Sequence, residues 1–406
     1  MKFIFKFNGY VSNRDAVIKE LDLDKNTSLY DLILAAFNKW SLDLNVHLLG
    51  DFALILPLNK QLFVCTSAFS SHTIFYQHTA HKFEIYDNTK QFTDHKISAF
   101  SIKQLLEWGY ILSPNTLFEN IFTLNNGQSQ LWQLIPDIKQ VASKQLTLAH
   151  KLHYSEGVTN STVISNTENN LTSNVFNLLP KLSHILHQPV SANWQIGFLL
   201  NMQKSDSHNI NIDVNIDPDF HHDIRVKPER FSQKIYRPHL KKQSLNDVKK
   251  HIFQLYQQEM QDWIVTEVPS FNTWLALSFK LPSKWNQQRL IAQAMGKNIT
   301  FIYPDATLFN KPLNIKPPQN KDDHKSEKPV SFFNFEDESI VNIFDAMQRL
   351  MHHGFKPVTH KLFHIVPPIS AKLIKQHSTH AKQVEKFCYL SLTLDHLARH
   401  SNWSVS

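Results

Sequence analysis

Leu49-Gly50-Asp51-Phe52-Ala53-Leu54-Ile55-Leu56, taken with Gln61-Leu62-Phe63-Val64-Cys65 just beyond it, decides how the first part of the chain is read. The two apolar runs have the length of strands and are joined by Pro57-Leu58-Asn59-Lys60. Continuous apolar runs separated by turn residues predict a hairpin of buried strands. Upstream, Phe3, Phe5 and Phe7 alternate with Lys2, Ile4 and Lys6 in a strand-like opening. Between the two, Leu29, Leu32, Ile33, Ala36, Phe37 and Trp40 recur at helical spacing after Ser28. Downstream, strands are expected at 73–77, 82–86 and around 128–134, with a helix at 101–108.

At 406 residues, of which 42% are hydrophobic, the chain has room for two or three domains with a sizeable core. It contains no run of eighteen apolar residues, so a membrane span is not expected. Met1 to Phe7 is too short and too charged for a signal peptide. Cys65 and Cys388 form no CxxC spacing, which argues against a disulfide framework or a cysteine zinc site, and a reducing cytoplasm fits best. The 8 glycines are scattered, so neither GxGxxG nor GxxxxGK[ST] can be written anywhere in the chain. Those patterns use glycine to bring backbone amides against a phosphate, and their absence removes two large classes of nucleotide site. A net charge of +7 and a pI near 9.1 permit an acidic partner without singling one out.

A polar stretch at 155–173 reads as a linker. It divides the chain into a first domain at 1–154 and a second at 174–406, the latter with another polar break at 317–329. Helices are expected near 174–187, 244–262, 286–296, 338–353 and 378–399, and a strand at 210–216.

Leu49 to Ile55 resembles the strand signature of the class II glutamine amidotransferase domain of asparagine synthetases, and further matches follow in the family's order. Leu62 to Ser67 stands in the next strand, and Ile74-Phe75-Tyr76 at the Leu-Tyr-Tyr step. Leu106 to Tyr110 resembles the closing helix, Asn115 to Ile121 (with Thr116, Leu117 and Phe118) the Thr-Leu-Phe-x-x-Ile step, and Leu124 to Gly127 the Pro-Gly turn. The resemblance implies an α/β and α+β chain. Its first part would be an αββα sandwich of the N-terminal-nucleophile (Ntn) hydrolase type, followed by a reduced asparagine synthase-like domain with a helical C-terminus. In the second part, Arg289 to Gly296 and Ile302 to Phe309, with Pro304 and Asp305, resemble the family's helix and Pro-Phe-Leu-Asp turn. Val384 to His400 resembles the terminal helix of lasso-peptide cyclases, which belong to the same superfamily.

The departures bear on chemistry. Active glutaminases of this kind carry a cysteine after the initiator methionine, and the freed α-amine serves as its base. Position 2 here is Lys2. Cys65 falls mid-strand, where a thiol is more often core than nucleophile. The turn Thr66 to His72 lacks the family's Arg-Asp and Gly. The synthetase half should carry a Ser-Gly-Gly-x-Asp-Ser loop between a strand and a helix, cradling pyrophosphate. Its expected place is His187 to Gly197, with a strand before it, a helix at 198–204 after it and a strand at 210–214. Only remnants stand there: Ser191, Ala192, Asn193, Gln195 and Gly197, with Trp194 in the space that phosphates need. Lys361 is a candidate for the catalytic lysine by position alone.

Outside the resemblance, Asp213, Asp217, Asp219, His221, His222 and Asp223 form the densest acid–histidine group. Oxygen and imidazole ligands can hold a divalent cation, but a solvated loop around Pro218 is the plainer reading. Arg225 to Lys242 interleaves basic residues with Phe231 and Tyr236, a pattern for single-stranded nucleic acid or an acidic partner, or simply a solvated loop.

These residues support three readings. The first is a synthetase-like chain without catalysis that acts as a partner or peptide-binding subunit in a biosynthetic or peptide-modification system, with no cofactor. The second is an ATP- and Mg2+-dependent amide ligase with a substituted nucleotide loop. The third is a basic module that binds nucleic acid or an acidic partner.

Overall fold

The computed structural model describes residues 3–79, 83–93, 95–108, 110–135, 137–154, 175–190, 193–213, 242–261, 263 and 269–303, with 390, 392–394, 396–397 and 404–405 near the C-terminus. The hairpin forms where the apolar runs place it: β2 (Gly50–Pro57) pairs antiparallel with β3 (Gln61–Thr66). β1 (Lys6–Val11) flanks β2, while β8 (Gln128–Gln133) and then β9 (Lys139–Gln145) continue from β3, giving an antiparallel sheet in the order β1-β2-β3-β8-β9. A second antiparallel sheet, β5-β4-β7, is built from β4 (Phe75–His78), β5 (Phe83–Tyr86) and β7 (Ile121–Thr123).

Both faces of β2 and β3 are buried, which explains their unbroken apolar runs. Phe52, Leu54, Leu56, Phe63 and Cys65 face a core shared with α1 (Arg14–Glu20), α2 (Leu29–Trp40) and α3 (Leu44–His47). Ala53, Ile55, Leu62, Val64 and Trp132 face the opposite way and pack on Phe83 and Ile85 of the small sheet. α2 starts where Ser28 accepts the backbone N–H of Asp31, and it buries Leu32, Ile33 and Ala36 completely. Such a cap contributes about 1 kcal/mol, and each large buried aliphatic side chain about 1.5–3 kcal/mol.

The outer face of the small sheet meets α4 (Ala99–Trp108) and elements from beyond residue 175. There α6 (Val175–Leu186) is followed by α7 (Asn193–Lys204) and then β10 (Asn209–Asp213). Further on, α8 (Lys242–Gln261) and α9 (Phe271–Leu275) precede α10 (Leu281–Ala294) and β11 (Asn298–Ile302). Between α9 and α10 the helix widens into a π turn at 276–280. Pro282 at the start of α10 has no N–H for the preceding turn, which gives the helical ladder reason to reset there. β10 and β11 pair in parallel, and α10 packs on both α7 and β11.

The described part of the chain is therefore a mixture of helices and mainly antiparallel sheets. The expected boundary at 155–173 lies outside the described residues, as does the break at 317–329. Two of the four apolar cores draw residues from both sides of the first of these. One joins Phe92, Ile97, Leu117 and Phe118 to Leu182, Ile196, Leu199 and Ile291. The other joins Phe69, Tyr110, Leu148 and Leu152 to Trp274, Trp285, Phe301 and Tyr303. α5 (Leu148–Tyr154) is held to α8 and α9 by Glu259, which accepts from the Leu148 backbone and, at 2.7 Å, from the Trp274 indole. Beside it the buried Lys151 ammonium is pushed down to about 8 by burial, with Glu259 opposing the shift. Ser404–Val405 pairs in parallel with Lys96–Ile97, so residues close to the C-terminus also return to the first part.

Candidate functional site

Asp51 accepts more hydrogen bonds than any other carboxylate among the described residues at the junction of the two parts. Gly50 and Asp51 begin β2, and Phe52 starts its alternation of buried side chains. The turn after β3 folds back over Asp51: Ser67 N–H donates to the Phe52 carbonyl and Phe52 N–H to the Ser67 hydroxyl. This turn carries the donors. Asp51 Oδ1 accepts from Ser71 N–H at 2.9 Å and from Ser70 Oγ at 3.1 Å; Oδ2 accepts from Ser71 Oγ at 2.7 Å and from Tyr303 Oη at 2.9 Å. The residue is only 2% exposed, and four donors satisfy both oxygens, as a buried carboxylate requires. Burial first and then the Asp51 charge hold the Tyr303 hydroxyl protonated, with its pKa well above the ordinary phenol value. Tyr10 is raised to about 12 by the same two causes.

Arg289, from α10, closes the other side of this turn. Its Nε donates to the Ser71 carbonyl at 2.9 Å, and Nη1 donates to Gln293 Oε1 at 2.8 Å. Asn286, one helical turn earlier, gives its Nδ2 to the same Ser71 carbonyl and to Thr73 Oγ1, both at 2.8 Å. Burial lowers the Arg289 pKa, and the nearby Asp51 carboxylate is the main influence raising it.

Next to this junction opens a cleft with a cavity volume of about 160 Å3. One wall is the segment from Tyr110 to Phe118 with Phe75 and Asn88; the other is the end of α6, the π turn and the first turns of α10. Thr116 and Phe118 shape the first wall: Thr116 Oγ1 donates to the Ile121 carbonyl at 2.7 Å and accepts Phe118 N–H at 3.1 Å, which leaves Leu117 and Phe118 buried. On the second wall, His187 takes positive φ just past α6 and its Nδ1 lies 2.7 Å from Thr89 Oγ1. His187 is lowered to about 3, by burial first and then by His95, Lys90 and His184. His72 is lowered to about 4, by burial chiefly; Arg289 lowers it too, while Asp51 opposes.

No family model matches the chain, and no curated protein does.

The motif residues that are described fall into two groups. Gly50, Asp51 and Phe52 belong to the buried junction, and Thr116, Leu117 and Phe118 to the cleft wall. Gly127, at φ +71°, donates its N–H to the Ser67 carbonyl and packs beside Lys151. The nucleotide-loop expectation needs correction. A helix, α6, leads into the turn at His187-Gln188-Pro189, where a strand was expected, because Leu178, Leu179, Leu182 and Leu186 follow a helical repeat. The following helix starts at Asn193, earlier than 198, so Gln195 and Gly197 lie inside it. Gln195 is 1% exposed and donates to Gln287 Oε1 at 2.5 Å, tying α7 to α10. Lys2, Ser191, Ala192, Asp217, Asp219, His221, His222, Pro304, Asp305 and Lys361 lie outside the described residues. Among the described residues no group of three His, Cys, Asp or Glu side chains is placed to hold a metal, and no helix is long and apolar enough to cross a membrane.

The Ser70, Ser71, Tyr303 and Arg289 cluster was not foreseen as a site. Its one signal was the hydroxyl-rich turn Ser67 to Ser71, set between two apolar strands. Hydroxyls in so apolar a setting need a buried polar partner.

The two depressed histidines make a prediction. Each stays neutral in the folded chain to about pH 4 (His72) or about pH 3 (His187), whereas an ordinary histidine protonates near 6.5. The unfolded chain therefore binds more protons below 6.5, and stability falls as the pH drops from there toward 4 and then 3. Melting curves between pH 7.5 and 5 should show this fall. In His187→Asn, which keeps a residue tolerant of positive φ, the fall should be shallower. Equal slopes in the two proteins would contradict a buried neutral His187.

Proposed function

We propose that this chain is a catalytically silent member of the asparagine synthetase superfamily that serves as a peptide- or partner-binding subunit. The observation that carries this reading is the pair of helices α6 and α7. A helix stands where the resemblance places the strand ahead of a glycine loop, the next helix already begins at Asn193, and Pro189 between them has no N–H to give a pyrophosphate. Cys65 adds to it. It is fully buried in the core beneath α2, and burial pushes its thiol far above the usual range, which leaves no nucleophilic thiolate there. The layer order also suits the superfamily: helices, a five-stranded sheet, a second antiparallel sheet, then α4, in the manner of an Ntn-hydrolase sandwich.

One observation favours the amide-ligase reading instead. The parallel pair β10–β11, with α10 packed against it, is what an α/β nucleotide domain would supply. The two readings separate in a single set of measurements on the full chain. Silence predicts no release of glutamate from glutamine, no ATP–pyrophosphate exchange with amino acids or peptides, and no heat from Mg-ATP titration. Micromolar Mg-ATP binding with exchange activity would overturn the silent reading and establish the ligase.

A further inference from the structure

We infer that the cleft beside Arg289 holds a carboxylate on an apolar body of single-residue size, such as the C-terminal residue of a peptide. The inference deepens the peptide-binding reading and rests on it for the nature of the ligand.

Arg289 is 9% exposed and lines the cleft. A guanidinium carries five N–H groups. Among the described residues it gives hydrogen bonds only to the Ser71 carbonyl and Gln293, both neutral acceptors. None of the ion pairs among the described residues includes it. The two nearest carboxylates are committed elsewhere. Asp51 has its four donors, and Asp87 is held by Lys6 at 3.3 Å and Asn8 at 3.2 Å. A buried guanidinium with free N–H directions is matched by a planar, two-oxygen anion.

The rest of the cleft agrees in shape. At its other wall the His187 ring is held on Thr89 Oγ1, and the one carboxylate in the lining, Asp87, is paired with Lys6 and Asn8. The apolar lining comes from Leu105, Leu117, Phe118, Leu186, Phe279 and Leu290. A cavity of about 160 Å3 is close to the roughly 150 Å3 that accommodates a benzene ring, so one aliphatic or aromatic side chain fits.

Calorimetry on the full chain tests this with four probes: N-acetyl-leucine, N-acetyl-leucine amide, and a short peptide ending in leucine as its free acid and as its amide. The acids should bind at least about tenfold more tightly than the amides, the value of a charge-assisted hydrogen bond. That gap should close in Arg289→Gln. If Arg289→Gln does not fold, Ser283→Phe, which narrows the cleft without touching Arg289, should weaken the acids instead. A peptide acid that binds more tightly than N-acetyl-leucine identifies a chain terminus as the ligand; equal affinity identifies a free residue-sized acid. Amides that bind as well as acids would overturn the carboxylate assignment while leaving peptide binding intact. Acid binding that survives Ser283→Phe unchanged would place the ligand outside the cleft and overturn the inference. Binding by none of the four would overturn the inference too, and the Mg-ATP titration would still decide separately whether the chain is silent.

Discussion

Gly9→Ala is expected to cost a large part of the stability of the fold. Gly9 sits opposite Phe52 in the β1–β2 ladder at φ +108°, and a Cβ built there would lie 1.9 Å from the Asp51 carbonyl oxygen. Both atoms belong to paired backbones, so neither can swing aside as a side-chain tip would. A non-glycine residue at such φ costs about 1–3 kcal/mol, and overpacking adds about 1–3 kcal/mol. A loss of about 2–6 kcal/mol is a large part of the roughly 5–15 kcal/mol that holds an ordinary domain together. Gly50→Ala meets the Tyr10 carbonyl at 2.3 Å and should behave alike. Gly296→Ala supplies the control: it also has positive φ, but nothing lies within 4 Å of the added methyl, so only the backbone cost applies. Thermal melts of the three variants decide the matter. If Gly9→Ala melted near Gly296→Ala, the close approach of β1 and β2 would be wrong.

The second large effect is expected at Asp51. Asp51→Ala removes the shared acceptor of the Ser70, Ser71 and Tyr303 hydroxyls and of the Ser71 N–H, and it removes the main negative charge near Arg289. Removing one partner from a buried charged network costs about 3–5 kcal/mol. Tyr303→Phe deletes one of the four donors and should cost about 1 kcal/mol. Denaturant unfolding that follows the chain as a whole can rank them. An Asp51→Ala loss no greater than that of Tyr303→Phe would mean that Asp51 is solvated and the network is not closed.

Legibility in the sequence followed the physics that produces each element. The β2–β3 hairpin and α2 could be read because each has a clean apolar repeat, set by burial on both faces in one case and on one stripe in the other. β9 could not: Lys139 to Gln145 is almost wholly exposed, has no apolar alternation, and exists because β8 offers it an edge. At 175–186 the residues themselves argued for a helix, and the strand expected ahead of the loop came from the resemblance alone. The Asp51 junction was half visible. The serines stood in plain sight, but Tyr303 and Arg289 lie more than two hundred residues away from Asp51 and Ser71. The cleft was not visible at all, because many separated segments form its walls and no local pattern joins them.

The apolar cores that mix residues from before 155 with residues from after 174 bear on how such a chain changes over generations. Polar residues at turns and surfaces can be substituted without disturbing them. A whole half cannot be deleted or exchanged without exposing Leu117, Phe118, Phe69 and Tyr110 to water. The two parts therefore stand or fall together, and a substitution that spares these cores leaves the architecture whole.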